Sequence, residues 1–140
     1  DGWGVAAFDA ALAAMHHRDR VVRIGMVGDV ERAALLRGAR LLVFPSRYEG
    51  FGLPPLEAMG AGTPVVATRA GAVPEVCADA AELVDVGDEE ALHAAMARVL
   101  TDDARRAALV RLGTERAARF TWPAQVSGLV SLYRLAAPSD

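Results

Sequence analysis

In the segment SRYEGFGLPPLEAMGAGT (46–63), two carboxylates, Glu49 and Glu57, stand on either side of a turn, with seven residues between them. Gly50 and Gly52 let the backbone approach a ligand closely. Pro54 and Pro55 suit the first turn of a helix, where their missing N–H groups would have had no intrahelical partner. A helix starting here aims free amides, chiefly those of Gly52 and Leu53, and its positive dipole end at an anion, for which a phosphate is the natural occupant. Glu57 falls about one turn inside that helix. A carboxylate there cannot favour a phosphate, so its expected work is to accept hydrogen bonds from hydroxyls, as a ribose diol would donate. Glu49, on the far side of the amides, faces the hydroxyls of whatever the phosphate carries. The turn reads as a clamp with sugar on both sides of a diphosphate. A glycosidase pair would need both carboxyls on one bond with one pKa raised, which a helix-start Glu57 does not offer. That the two acids are simply exposed on an ordinary glycine turn stays open on residue types alone.

The elements around the turn are short apolar runs alternating with helical patterns, the mark of a parallel sheet covered by helices. VVRI (21–24), LLVF (41–44), PVVAT (64–68) and AELV (81–84) are the expected strands. Ahead of them Trp3, Val5, Phe8, Leu12 and Met15 form the apolar face of a helix. Between VVRI and LLVF, Asp29 is expected to cap a helix that turns Ala34 and Leu35 inward and ends near Gly38. The PPLEAMGAG helix should stop at Gly60 or Gly62. From Asp88 onward Leu92, Met96, Val99, then Ala108, Leu109, Leu112, then Val126, Leu129, Val130, Tyr133 mark three helices broken near Thr101 and Thr121. In such an open sheet, ligands sit beyond the carboxyl ends of the strands, where SRYEGFG falls.

Composition bounds the reading. The 140 residues are 53% hydrophobic, enough for one domain with one core, taken as 1–140. The net charge is −3, and all 15 basic residues are arginine, so no dominant basic field invites nucleic acid. One cysteine, Cys77, excludes an internal disulfide and reads as a small core residue. No Cys/His spacing suggests a structural metal. No run approaches a spanning helix and the opening residues lack a signal pattern, so a cytoplasmic location is expected, with peripheral contact at the inner face of a membrane as the alternative.

The stretch SRYEGFGLPPLEAMGAGTPVVAT, followed by AGAVPEV (70–76) and ELVDVGDEEAL (82–92), resembles the C-terminal, donor-binding domain of retaining glycosyltransferases of the GT-B fold, family 4 type, with its E-x7-E motif. The likeness runs from IGMVGDVERAALLRGARLLVFPS to FTWPAQV. It implies an α/β Rossmann-like sheet and, as donor, a nucleotide-diphosphate sugar, with no cofactor and no metal; the chain also lacks an Asp-x-Asp pair. It further implies that Glu49 contacts the transferred sugar, Gly50, Phe51, Gly52 and Leu53 the sugar and diphosphate, Glu57 the ribose, and Met26 and Val27 the base. The family's two opening strands, its lysine near the domain start and its N-terminal acceptor-binding domain have no counterpart in these residues, and Pro55 replaces a more usual aliphatic residue. The expectation is a partial donor domain, inactive alone. A noncatalytic subunit needing a partner and a nucleotide-sugar epimerase are the alternatives.

The remaining polar residues read as structural. His16 and His17 suit a helix end and His93 borders an apolar face. Gly71, Pro74 and Glu75 form a turn and helix start, with lining of the donor pocket the alternative. Arg105, Arg106, Arg111, Arg116 and Arg119 are expected on a solvated face, against a patch for anionic lipid.

Overall fold

In the computed structural model, residues 5–136 are described, so Trp3 lies outside them. The order is α1 (Val5–Ala14), a 3-10 turn (Arg18–Arg20), α2 (Asp29–Gly38), β1 (Leu42–Phe44), α3 (Leu53–Gly60), β2 (Val65–Thr68), α4 (Val73–Cys77), β3 (Glu82–Val84), α5 (Glu89–Thr101), α6 (Asp103–Ala117) and α7 (Trp122–Ala136). The strands form one parallel sheet in the order β1-β2-β3, with Val43 opposite Val66 and Ala67 opposite Leu83. This is the expected α/β architecture.

β2 is buried along its whole length, which explains a run with no polar alternation. Its side chains alternate between faces. Val65 and Ala67 join Ala58 and Met59 of α3 and Val73 and Cys77 of α4, with Leu36, Leu42 and Phe44 packed alongside. Val66 joins Ala95 and Val99 of α5 and Leu109 of α6 on the other face. Each fully buried valine or leucine contributes about 1.5–3 kcal/mol relative to exposure. The α3–α6 contact is closed through a residue without a side chain: a Cβ on buried Gly113 would stand 3.1 Å from Met59 Cγ. Thr63 ties α2 to the entry of β2 by donating its hydroxyl to the Leu36 carbonyl.

The helices of the second half lie where the periodicity puts them. Asp88 caps α5 by accepting from the Ala91 amide at 2.8 Å, and Asp102 caps α6 by accepting from Arg105 at 2.9 Å. α3 ends at Gly60, and Gly62 follows with φ +78°. Among the described residues, neither α1 nor α7 buries its predicted apolar face: Val5 and Phe8 are exposed with Leu12 half-buried, and Val126, Leu129, Val130 and Tyr133 are exposed.

Four expectations change. VVRI is not a strand: residues 21–24 run outside any element, with Val22 78% and Ile24 54% exposed. A strand needs a hydrogen-bonded neighbour, and no strand among the described residues lies beside it. Asp29 is the first residue of α2, not its cap; Gly28 takes the cap position, and Asp29 pairs with Arg32 at 3.2 Å. The inward face of α2 is set one residue over, carried by Ala33 and Leu36, while Leu35 is 48% exposed. The arginines do not form one solvated face. Arg105 reaches Glu82 at 2.7 Å, Arg106 reaches Asp103 at 2.7 Å, and Arg116 is turned onto α4. Glu82, drawn also by Arg98, is the acid on β3 that sequence periodicity could not match to its partners.

Cys77 is fully buried, and burial pushes its thiol from 9.0 up to about 11, with the Arg116 guanidinium pulling the other way. The folded state therefore keeps a proton that the unfolded chain releases above pH 9. This contribution to stability is complete below pH 9, falls as pH rises toward about 11, and does not change further beyond it. Denaturant titrations between pH 8 and 11 should show a loss of stability in the wild type that is smaller in Cys77→Ala; equal slopes would contradict the shift.

The exposed apolar residues of 21–26 and the β1 edge that faces away from β2 form an open template for strand pairing. The polypeptide of residues 1–140 should self-associate or unfold at modest temperature. Sedimentation showing a monomer at all concentrations, together with a melting midpoint above about 65 °C, would contradict this.

Candidate functional site

β1 delivers the chain to the segment PSRYEGFG at the carboxyl edge of the sheet, and the loops after β1 and β2 are bonded to each other. Thr68, at the end of β2, donates its hydroxyl to the Ser46 carbonyl. The Ala72 amide donates to the Glu49 carbonyl at 3.1 Å. Gly71 makes this approach possible: its φ is +52°, and a Cβ there would lie 2.0 Å from the Glu49 carbonyl oxygen. The AGAVPE turn thus rests on the peptide of Glu49, and Gly71 fixes that peptide in place. Gly71, Pro74 and Glu75 do not line the cleft described next.

Gly52 is buried, in the left-handed conformation at φ +99°, and immediately precedes α3. Glu49 Oε1 accepts from the Phe51 and Gly52 amides, each at 3.2 Å. The Gly52 amide is therefore not free, as the helix-start argument expected. A carboxylate three residues upstream is the nearest acceptor and closes the turn on itself. At the helix start, the Leu53 amide is without an acceptor among the described residues.

Glu49, Phe51, Leu53 and Glu57 converge on one open cleft of about 530 Å³, completed by Arg32, Leu36, Leu42 and Pro54. Arg32, on α2, reaches Glu57 Oε1 at 3.1 Å. Gly50 is exposed and Gly52 lies beneath the loop, so neither lines the cleft. Met26 is wholly exposed and Val27 half-buried, and these too lie outside the lining.

Phe51 divides this cleft from an apolar groove of about 810 Å³ that runs along Leu53 and Leu56 to Phe120, Trp122 and Pro123. The Phe51 ring meets Phe120 edge-on, with centroids 6.1 Å apart and planes at 87°. Arg116 lies 5.0 Å from the Phe120 centroid and donates to the Val76 carbonyl at 2.8 Å and the Glu75 carbonyl at 2.6 Å. One arginine thus ties α6, the end of α4 and the aromatic wall of the glycine loop together.

Sequence reasoning passes over Arg32 and Phe120 and assigns Arg116 to a solvated face, whereas it bonds to the α4 carbonyls. Arg32 stands three residues after Asp29, which reads as an ordinary surface pair, and Arg116 is one of several arginines on α6. Their partners lie 25 and 40 residues away in sequence, and only the folded sheet brings them together. Chemically the cleft offers two carboxylates as hydroxyl acceptors, one unused amide at a helix start and one guanidinium.

The glycosyl transferases group 1 family matches residues 2–102. The chain is 38% identical over 112 residues to the O-antigen chain mannosyltransferase B of Escherichia coli, covering 80% of this chain and 29% of that protein. It is 41% identical over 114 residues to the MMP alpha-(1->4)-mannosyltransferase of Mycolicibacterium hassiacum, covering 79% and 28%. Among solved structures it superposes on the sucrose-phosphate synthase from Thermosynechococcus elongatus with a TM-score of 0.83 and 33% identity, over 96% of this chain and 35% of that one. The chain spans less than a third of the length of these two curated relatives.

The contact beneath Glu49 makes a sharp distinction between two glycines. Gly71→Ala forces a left-handed alanine into a backbone oxygen, so a loss of about 2–5 kcal/mol is expected, from about 1–2 of strain and 1–3 of overpacking. Gly50→Ala meets nothing within 4 Å and should stay within about 0.5 kcal/mol of wild type. Denaturant midpoints measure both, and a tolerated Gly71→Ala would mean that the two loops are not held together as described.

Proposed function

The chain belongs to the glycosyl transferases group 1 family, and from that premise we propose that it is the donor-binding half of a retaining glycosyltransferase, which moves a sugar from a nucleotide-diphosphate sugar to an acceptor. The observation that carries the proposal is the single cleft gathering Glu49, Phe51, Leu53 and Glu57 at the start of α3. In this reading the diphosphate meets the glycine loop and the helix start, where the dipole and the Leu53 amide oppose its charge. Phe51 and Gly52 supply further backbone contacts once the Glu49 carboxylate turns from their amides toward the sugar, and Gly50 adds its own. Glu57 accepts the ribose hydroxyls, and the base lies toward Met26 and Val27.

The bond between sugar and diphosphate breaks as the bond to the acceptor oxygen forms, the acceptor hydroxyl's proton passing to the departing diphosphate, with the anomeric configuration kept. No side chain of this chain is assigned as a nucleophile. The protein's part is to hold the reacting atoms in line and to stabilise the departing diphosphate through preorganised dipoles, without a metal or cofactor. The acceptor belongs to a separate N-terminal domain, in keeping with a chain that spans less than a third of its relatives. Two of those relatives carry mannosyltransferase in their names, so nucleotide-activated mannose is the first donor to try.

The test is to incubate the full-length protein with labelled nucleotide sugars, with and without acceptors. Transfer with retention supports the proposal; epimerised sugar without transfer, or binding with no turnover under any acceptor, would replace it with one of the two alternatives. The two carboxylates should separate in the same protein. Glu57→Ala should weaken nucleoside diphosphate binding by about 1.5–3 kcal/mol, the worth of hydrogen bonds to a charged group. Glu49→Ala should lower turnover more than it lowers that affinity. Calorimetry and initial rates check both, and unchanged nucleotide affinity in Glu57→Ala would remove the ribose assignment.

A further inference from the structure

Arg32 is the one cation among the residues lining the cleft, and it is spent on a carboxylate. One nitrogen of its guanidinium, Nη2, lies 3.1 Å from Glu57 Oε1 and 3.2 Å from Asp29 Oδ1, an ion-pair contact by which α2 reaches across to the middle of α3. The Arg32 and Glu57 side chains are 48% and 36% exposed. An ion pair this wet contributes little to stability, of the order of 0–1 kcal/mol. What it does supply is position: the Glu57 carboxylate is drawn toward α2 within the cleft. Glu57 would otherwise be a flexible side chain with rotamers pointing away from the cleft, and ordering it at the moment of binding costs affinity. With Oε1 held by Arg32, Oε2 is left as the acceptor with no partner among the described residues. Asp29 Oδ1 pairs with the same nitrogen of that guanidinium. The arrangement is a relay from the first turn of α2 to the carboxylate, of the kind by which an outer side chain fixes the orientation of a binding group.

We propose that Arg32 is a positioning residue for the donor site: it holds the Glu57 carboxylate in the orientation that accepts the ribose hydroxyls, and it acts on the nucleotide through Glu57, not by touching phosphate. This rests on the ribose role given to Glu57 above. A guanidinium that bound the diphosphate itself would have to leave Glu57, and the cost of removing it would then depend on the phosphates.

The experiment is calorimetric titration of the full-length protein with UDP, GDP and ADP. The tightest binder is carried forward with its 2′,3′-dideoxy form and its phosphate-free nucleoside, for wild type, Arg32→Ala, Arg32→Lys, Glu57→Ala and the Arg32→Ala/Glu57→Ala double variant. Arg32→Ala should weaken the ribonucleotide about five-fold, a part of the roughly ten- to hundred-fold expected for Glu57→Ala. Arg32→Lys should recover some of the loss. The effect of Arg32→Ala should vanish with the dideoxy ligand, should persist with the nucleoside, and should add nothing in the double variant. A general loss of structure would weaken all ligands alike and so would overturn the assignment. An effect seen with the diphosphate but not with the nucleoside would overturn it in favour of direct phosphate contact. If Glu57→Ala weakens binding while Arg32→Ala matches wild type, the positioning role alone fails. If Glu57→Ala itself matches wild type, the ribose role fails and takes the inference with it.

Discussion

The parallel pairing of Leu42–Phe44 with Val65–Thr68 is the constraint on which the candidate site depends. It places the ends of β1 and β2 side by side, so that the loop leaving each strand meets the other before either enters its helix. The pairing is held by burial of β2 on both faces, with α3 and α4 against one side and α5 and α6 against the other. Parallel strands need a crossover between them, and here α3 is that crossover. The glycine loop is thus covalently part of the connection that makes the sheet, and its position follows from the same packing that forms the core.

Most of the polar contacts around the cleft contribute little to holding the fold. The Arg32–Glu57 pair is half-exposed, and the Glu49 carboxylate closes on neighbouring amides at 3.2 Å. The stability comes instead from residues such as Met59, Val65, Val73 and Leu109, each at most 1% exposed. Nearby, Arg116 is the exception: its two bonds to α4 carbonyls and its place over Phe120 join the core helices to the wall of the loop. A rigid layer of apolar packing therefore carries a thin layer of adjustable polar groups, which suits a site that must exchange one set of hydrogen bonds for another when a ligand enters.

The sequence made the sheet and the second-half helices legible because their signals are local. PVVAT is uniformly apolar since it is buried on both faces, and Asp88 and Asp102 stand where helix caps belong. The convergence of Glu49, Phe51, Leu53 and Glu57 was equally readable, since all four belong to one turn and the helix it starts. What could not be read were the contacts made across the sheet. VVRI has the composition of a strand, but strand formation is decided by a neighbour and not by the run itself. The inward face of α2 moved by one residue because its apolar pattern, with Ala33, Ala34, Leu35 and Leu36 in succession, does not distinguish the two settings. The Gly52 amide reads as free in the sequence because element type alone does not reveal a carboxylate folding back three residues.

The hydrogen bond from Ala72 to Glu49, with Gly71 packed beneath it, ties two loops that are more than twenty residues apart into one mechanical unit. An insertion or deletion in PSRYEGFG moves the Glu49 peptide off the turn that supports it, and a longer turn at AGAVPE lifts away from the same peptide. Neither loop can change length alone without opening the other. Substitutions at this edge of the sheet are therefore accommodated by side chains that point outward, such as Tyr48, while the backbone of the pair moves as a single piece.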